Sequence, residues 1–304
     1  MLERVLVALD GSPTADEALE FAITVSRSYG SELILCSAID RAAAIAAACA
    51  PDGVFPSAEL VLEEYENAAT SLLTEAASRA AAAGVRAKTA LLDGRAAAAI
   101  VACAKERDAR AIVIGTRGKR GLEHLMLGST AEGVLRLSDV PVFVVRGAAP
   151  EAPQPKASTF GRILVAVDDS DASSAAQTLA LDLAVAARSR VSFCHIVETD
   201  DLLGTTETFG YDPRPYFEER HRYASTLTAA STQAATERGV DADTVVIEGS
   251  AANGILEAAV ARDADLIAVG THGRRGFRRL LLGSVAEDLL RRSSVPVVVV
   301  RIDT

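Results

Sequence analysis

The 304-residue chain has no tryptophan, five tyrosines and eight phenylalanines. So thin an aromatic set argues against a single-stranded nucleic acid as partner, because such strands are held by stacking on successive aromatic side chains. The net charge of −10 argues the same for the surface as a whole, which repels a phosphate backbone. There are four cysteines, and none has metal-ligand spacing. Cys36 and Cys194 fall in apolar strand patterns and Cys49 and Cys103 in alanine-rich context, so they read as small buried hydrophobes in a reducing cytoplasm. No run reaches the roughly 20 apolar residues of a membrane helix, so a soluble protein without membrane contact is expected. The opening residues, MLERVLVALDGS, begin a strand and show neither a basic n-region nor a cleavage signature, so no signal peptide is expected.

Catalytic signatures are missing as well. There is no G-x4-GK(S/T) phosphate loop, no G-x-G-x-x-G after a first strand, and no Ser/His/Asp set shared by both halves. Of the four histidines, His195 stands where the first half has Ser37, and His124 and His221 have no histidine counterpart. His272, opposite Arg117, reads as a loop residue. No metal or proton-relay constellation emerges.

What the chain does have is a glycine spacing used twice. Gly115, Gly118, Gly128 and Ser129 form G-x2-G-x9-G-S, and Gly270, Gly273, Gly283 and Ser284 repeat it 155 residues later. The same offset relates Pro141 to Pro296 and Arg146 to Arg301, while Asp10 to Asp168 and Cys36 to Cys194 are offset by 158. A period this long means two whole domains, because solenoid repeats run to about 20 to 50 residues. The proline-rich stretch GAAPEAPQPKASTFG marks the boundary. The division expected is therefore a domain over 1–147, a linker over 148–160 and a second domain over 161–304.

Strand and helix patterns alternate in each half. RVLVALD (4–10), SELILCSAID (31–40), VRAKTALLD (85–93), ARAIVIG (109–115) and VPVFVVR (140–146) read as strands. Ser12-Pro13 opens the first helix with a cap and a first-turn proline. Further helices are expected over 58–83, 95–107 and 128–138, and a short one over 42–50. The second half repeats the strands as RILVAVD, RVSFCHIVE, ADTVVIE, ADLIAVG and VPVVVVR. Apolar strands alternating with helices predict an α/β fold, two doubly wound five-stranded parallel sheets. With strand order 3-2-1-4-5, ligands bind past the carboxyl ends of the strands where the order reverses, between the first and fourth. Asp10 and Gly115 meet there in one domain, Asp168 and Gly270 in the other.

The motif suits a phosphorylated ligand. Gly115 and Gly118 are expected to turn with positive φ and to let a ligand approach without a Cβ clash. Gly128-Ser129 and Gly283-Ser284 then open helices whose unpaired N–H groups attract an anion. Arg117, Lys119 and Arg120 in one loop, and Arg274, Arg275, Arg278 and Arg279 in the other, either add to that attraction or form a solvated face. Asp10 and Asp168 either touch the ligand or cap the first helix beside Ser12 and Ser170. The segments after the second strands differ between the halves, and Phe209, Tyr211 and Tyr216 in the second are read as packing rather than as base-stacking residues.

On these residues both halves resemble universal stress protein domains of the nucleotide-binding branch, and the whole chain resembles a tandem universal stress protein. The resemblance implies a Rossmann-like fold of the adenine nucleotide alpha hydrolase kind, with ATP as the cofactor of each domain. It implies that Asp10 and Asp168, with Ala8 and Ala166 just before them, lie against the nucleotide. The backbone of Ala38 and Ile196 would read the adenine edge. Gly115, Gly118, Gly128, Ser129 and Thr130, and Gly270, Gly273, Gly283, Ser284 and Val285, would hold ribose and phosphates. A magnesium ion carried on the phosphates would meet Asp10 or Asp168. The family also pairs domains through the last strand, here an intrachain pseudo-dimer through VPVFVVR and VPVVVVR, with further homodimerisation and an unidentified protein partner as the remaining expectations. Function is expected to be nucleotide-dependent regulation in a stress response. The alternatives are an interaction protein that binds no nucleotide and a slow ATP hydrolase.

Overall fold

A computed structural model describes residues 2–48, 58–116, 127–146, 160–199, 214–271 and 282–302. The chain divides into two compact units, Met1–Ala152 and Pro153–Thr304. In the first unit the order is β1 (Arg4–Ala8), α1 (Pro13–Tyr29), β2 (Glu32–Ile39), α2 (Arg41–Ala48), α3 (Ala58–Ala82), β3 (Ala87–Asp93), α4 (Ala96–Glu106), β4 (Ala111–Gly115), α5 (Ser129–Leu137) and β5 (Val142–Val145). In the second it is β6 (Arg162–Ala166), α6 (Asp171–Ala187), β7 (Arg190–Val197), α7 (Arg214–Glu237), β8 (Ala242–Glu248), α8 (Ala251–Ala261), β9 (Leu266–Gly270), α9 (Ser284–Arg292) and β10 (Val297–Val300).

Each unit carries five parallel strands in the expected order, β3-β2-β1-β4-β5 in the first and β8-β7-β6-β9-β10 in the second. The central strands are apolar because both faces are covered: Leu6, Val7, Leu33, Leu35, Ile112 and Val113 have no exposed surface. Burying each such side chain contributes about 1.5 to 3 kcal/mol. Helices α3 and α4 both pack on β2 and β3, hence from opposite faces. Arg79 of α3 pairs with Asp16 and Glu20 of α1 at 3.0 and 2.6 Å, which puts α1 on the α3 face. Helix α4 packs against α5 on the other. No described helix is long and apolar enough to cross a membrane.

Element ends differ slightly from the sequence reading, each for a local reason. The first strand stops at Ala8, because Gly11 turns the chain with φ +73° and Ser12 caps α1, its Oγ accepting from Ala15 N–H at 3.2 Å with Pro13 next. The two first helices end in the same left-handed conformation with different residues. Gly30, at φ +67°, closes α1, while Arg188, at φ +55°, closes α6. A side chain is disfavoured in that region by roughly 1 kcal/mol. Arg188→Gly is therefore expected to stabilise the second unit by about 0.5 kcal/mol, the steric relief exceeding the added freedom of the unfolded chain. Urea unfolding checks this, and a lower midpoint would show that Arg188 makes a compensating contact.

Candidate functional site

The strand order leaves β1 between β2 and β4, and β1 ends first. Its last ladder partners are Ala8 and Cys36, followed by Leu9 N–H donating to Cys36 C=O at 2.8 Å. β2 continues to Ile39, whose C=O accepts from Gly94 N–H at 2.9 Å on the β3 side. Successive residues of a strand turn their backbone groups to opposite neighbours. Cys36 faces β1 and Ile39 faces β3, so the N–H and C=O of Ala38 face the gap beyond the end of β1. The second unit repeats this: Cys194 C=O takes Val167 N–H at 2.8 Å, Val197 C=O takes Gly249 N–H at 3.0 Å, and Ile196 faces the gap past β6. One donor and one acceptor on a rigid strand, side by side, can read a planar base edge.

Asp10 and Asp168 lie at the same gap. Asp10 Oδ1 accepts from Ser12 N–H at 3.0 Å. Asp168 Oδ1 accepts from both Ser170 N–H at 2.9 Å and Ser170 Oγ at 2.5 Å. The helix caps themselves are Ser12 and Ser170, so the aspartates brace the turn that leads into the helix, an Asx-type arrangement, rather than cap it. The second unit adds Ser173, which sequence reasoning did not single out. Its Oγ takes Asp168 N–H at 3.0 Å and donates to Ala166 C=O at 3.2 Å. The matching residue in the first unit is Ala15, and the 158-residue offset was the signal that could have exposed the difference.

The glycines divide into two kinds. Gly115 does not have positive φ, contrary to expectation, and neither does Gly270; they are the last residues of β4 and β9. They are glycine because α1 and α6 press on them. A Cβ at Gly115 would stand 2.8 Å from the backbone C and O of Thr14, and one at Gly270 would stand 2.7 Å from the backbone C of Ala172. Gly128 and Gly283 instead open α5 and α9 from ordinary extended backbone, with φ −67° and −63°. Gly128 N–H donates to Thr116 C=O at 2.8 Å, and Gly283 N–H to Thr271 C=O at 2.8 Å, which pins each helix start to the end of the neighbouring strand. The first intrahelical acceptors are Gly128 C=O for Glu132 and Gly283 C=O for Glu287. The N–H groups of Ser129, Thr130 and Ala131, and of Ser284, Val285 and Ala286, therefore have no acceptor within the helix. Each unit thus turns a set of donors and a helix dipole toward the carboxyl edge of its sheet. Gly118 and Gly273, with His124, His272, Arg117, Lys119, Arg120, Arg274, Arg275, Arg278 and Arg279, lie outside the described residues.

Other chemistry is sparse among the described residues. No group of three or more His, Cys, Asp or Glu side chains could hold a metal ion. Cys36, Cys103 and Cys194 are buried free thiols, as expected, and burial raises their pKa, that of Cys194 to about 12. His195 is buried, its Nδ1 2.7 Å from Val167 C=O. Tyr216 packs edge-on against Phe217, with Arg220 over its ring, the packing reading of that residue. Cys49, Phe209 and Tyr211 lie outside the described residues.

Comparison with known proteins agrees with this arrangement. The family model of the universal stress protein family matches residues 1–146 and 159–301. The universal stress protein YxiE of Bacillus subtilis is 33% identical over 149 residues, 48% of this chain and 100% of that protein. A universal stress protein of Mycolicibacterium smegmatis is 32% identical over 200 residues, a match spanning 64% of this chain and 63% of that one. A crystal structure of a universal stress protein from Archaeoglobus fulgidus superposes with a TM-score of 0.71 at 22% identity, covering 100% of both chains, a likeness of fold. Two copies of one α/β unit, matched along nearly their whole length by one family, leave a single conclusion: this chain belongs to the universal stress protein family.

Proposed function

We propose that each unit binds one adenine nucleotide, ATP, and that occupancy regulates a surface read by a protein partner during stress in the cytoplasm. The observation that carries this reading is the pinned helix start at Gly128 and Gly283, which presents unpaired N–H groups at the sheet edge where the strand order reverses. In this reading the edge groups of Ala38 and Ile196 take the base, the chain from Ala8 to Asp10 and from Ala166 to Asp168 lies along the sugar, and the helix starts take the phosphates. Ser129 and Ser284 add a hydroxyl each, and Gly118 and Gly273 belong to the same loops.

Magnesium fits as a passenger of the phosphates rather than as a resident ion. Among the described residues no group of three or more His, Cys, Asp or Glu side chains gathers at either site, and a hard cation needs about six oxygens, which phosphates and water would supply. When bound it would neutralise phosphate charge, with Asp10 or Asp168 as the protein's contribution. Turnover is assigned to no residue.

Isothermal titration of nucleotide-free chain with ATP and magnesium tests the proposal. Two sites per chain are expected, and heat of dilution alone would refute it. Ser129→Ala is expected to weaken the first site by about 1 kcal/mol, the worth of one hydrogen bond, or roughly fivefold. An unchanged affinity would mean that backbone groups alone hold the phosphate.

A further inference from the structure

The first unit fastens its second helix beside the site with one side chain. Asp40 caps α2, its Oδ1 accepting from Ala43 N–H at 3.0 Å and its C=O from Ala44 N–H at 2.9 Å. The helix therefore begins at Arg41, three positions past Ala38. Arg41 Nη2 lies 2.6 Å from Glu66 Oε1 of α3, and its Nε lies 3.8 Å from Asp93 Oδ2 at the end of β3. Asp93 is the register partner of Ile39, next to Ala38. Helix α2 also packs along α3. The guanidinium thus joins three elements at the rim where the base is placed.

The duplication supplies an internal comparison. The positions 155 residues after Glu66 and Asp93 are His221 and Glu248. These two meet directly, His221 Nε2 lying 2.6 Å from Glu248 Oε1, so α7 is tied to the end of β8 without a third group. In the first unit both positions are carboxylates, which repel each other. A planar guanidinium with several donors can address both at once. The pair of acids is therefore matched to an arginine delivered by α2, and that match recurs nowhere in the second unit's described residues.

We propose that Arg41 is a positioning residue of the first nucleotide site, a clasp that holds α2 against the adenine rim and slows nucleotide release from that unit relative to the other. The proposal rests on the nucleotide reading above, and it makes the two sites kinetically unequal while their cradles match.

The test uses the full chain and the fluorescent analogue mant-ATP, with release followed by chase with unlabelled ATP. Gly283→Val is expected to leave only the first site and Gly128→Val only the second, which equilibrium titration of each variant with mant-ATP establishes before release is measured. In the first background, Arg41→Ala is expected to speed release about two- to fivefold, the range open to exposed ion pairs, and Arg41→Lys to fall between. In the second background the same changes are expected to leave release unaltered. Unchanged release in the first background would overturn the proposal. So would equal acceleration in both, which would mark Arg41 as a general stabiliser. A wild-type chain that never binds mant-ATP would defeat the nucleotide reading itself, a result distinct from either.

Discussion

Replacing Gly115 with alanine is expected to destabilise the first unit by about 2 to 3 kcal/mol, the upper part of the range for an overpacked interior. The added Cβ would sit 2.8 Å from the backbone carbon and oxygen of Thr14 and from its Oγ1. Backbone atoms in the first turn of α1 cannot rotate away as a side-chain tip would, so the helix must slide off β4. That helix start is also fixed by the Ser12 cap and by Asp10, so the displacement would carry into the site. Gly270→Ala meets the Ala172 backbone at 2.7 Å and is expected to cost the second unit as much. Gly84→Ala is the useful contrast, since its φ of +76° is strained but nothing lies within 4 Å of the new Cβ; it should cost only about 1 kcal/mol. Denaturant unfolding of the three variants separates the two effects. Equal losses at Gly84 and Gly115 would contradict the packing account.

Replacing Gly128 with valine is expected to abolish binding at the first site while leaving the second intact. Here the backbone is not the obstacle, because φ −67° and ψ 147° suit any residue. The obstacle is the ligand's approach to the N–H groups of Ser129 to Ala131, across which a branched side chain would stand. The expected result is a stable protein whose titration with ATP falls from two sites to one. Loss of both sites together would mean that the units do not bind independently, and retention of both would remove the start of α5 from the site.

The two glycines show how far the sequence could be read. Their doubled spacing disclosed a duplication, the doubly wound units and the ends of the strands at which to look, because apolar strands alternating with helices have few other solutions. It did not disclose that Gly115 answers to Thr14, since that requires knowing how closely α1 crosses β4. Cap positions such as Ser12-Pro13 were legible because a cap is local. The link from Arg41 to Glu66 and Asp93 was not, because it joins three elements brought together only by the fold. Likewise Ser173 in the first turn of α6 is visible in the sequence as a difference from Ala15, but its bonds to Ala166 and Asp168 follow from geometry.

The central claim, two adenine nucleotide sites in one chain, is tested most directly by denaturing freshly purified protein and identifying what it releases by chromatography, with the molar ratio to chain. The account predicts adenine nucleotide, rising to about two per chain after equilibration with ATP and magnesium, as expected for two independent cradles. No nucleotide on the purified chain, and none taken up on equilibration, would contradict it.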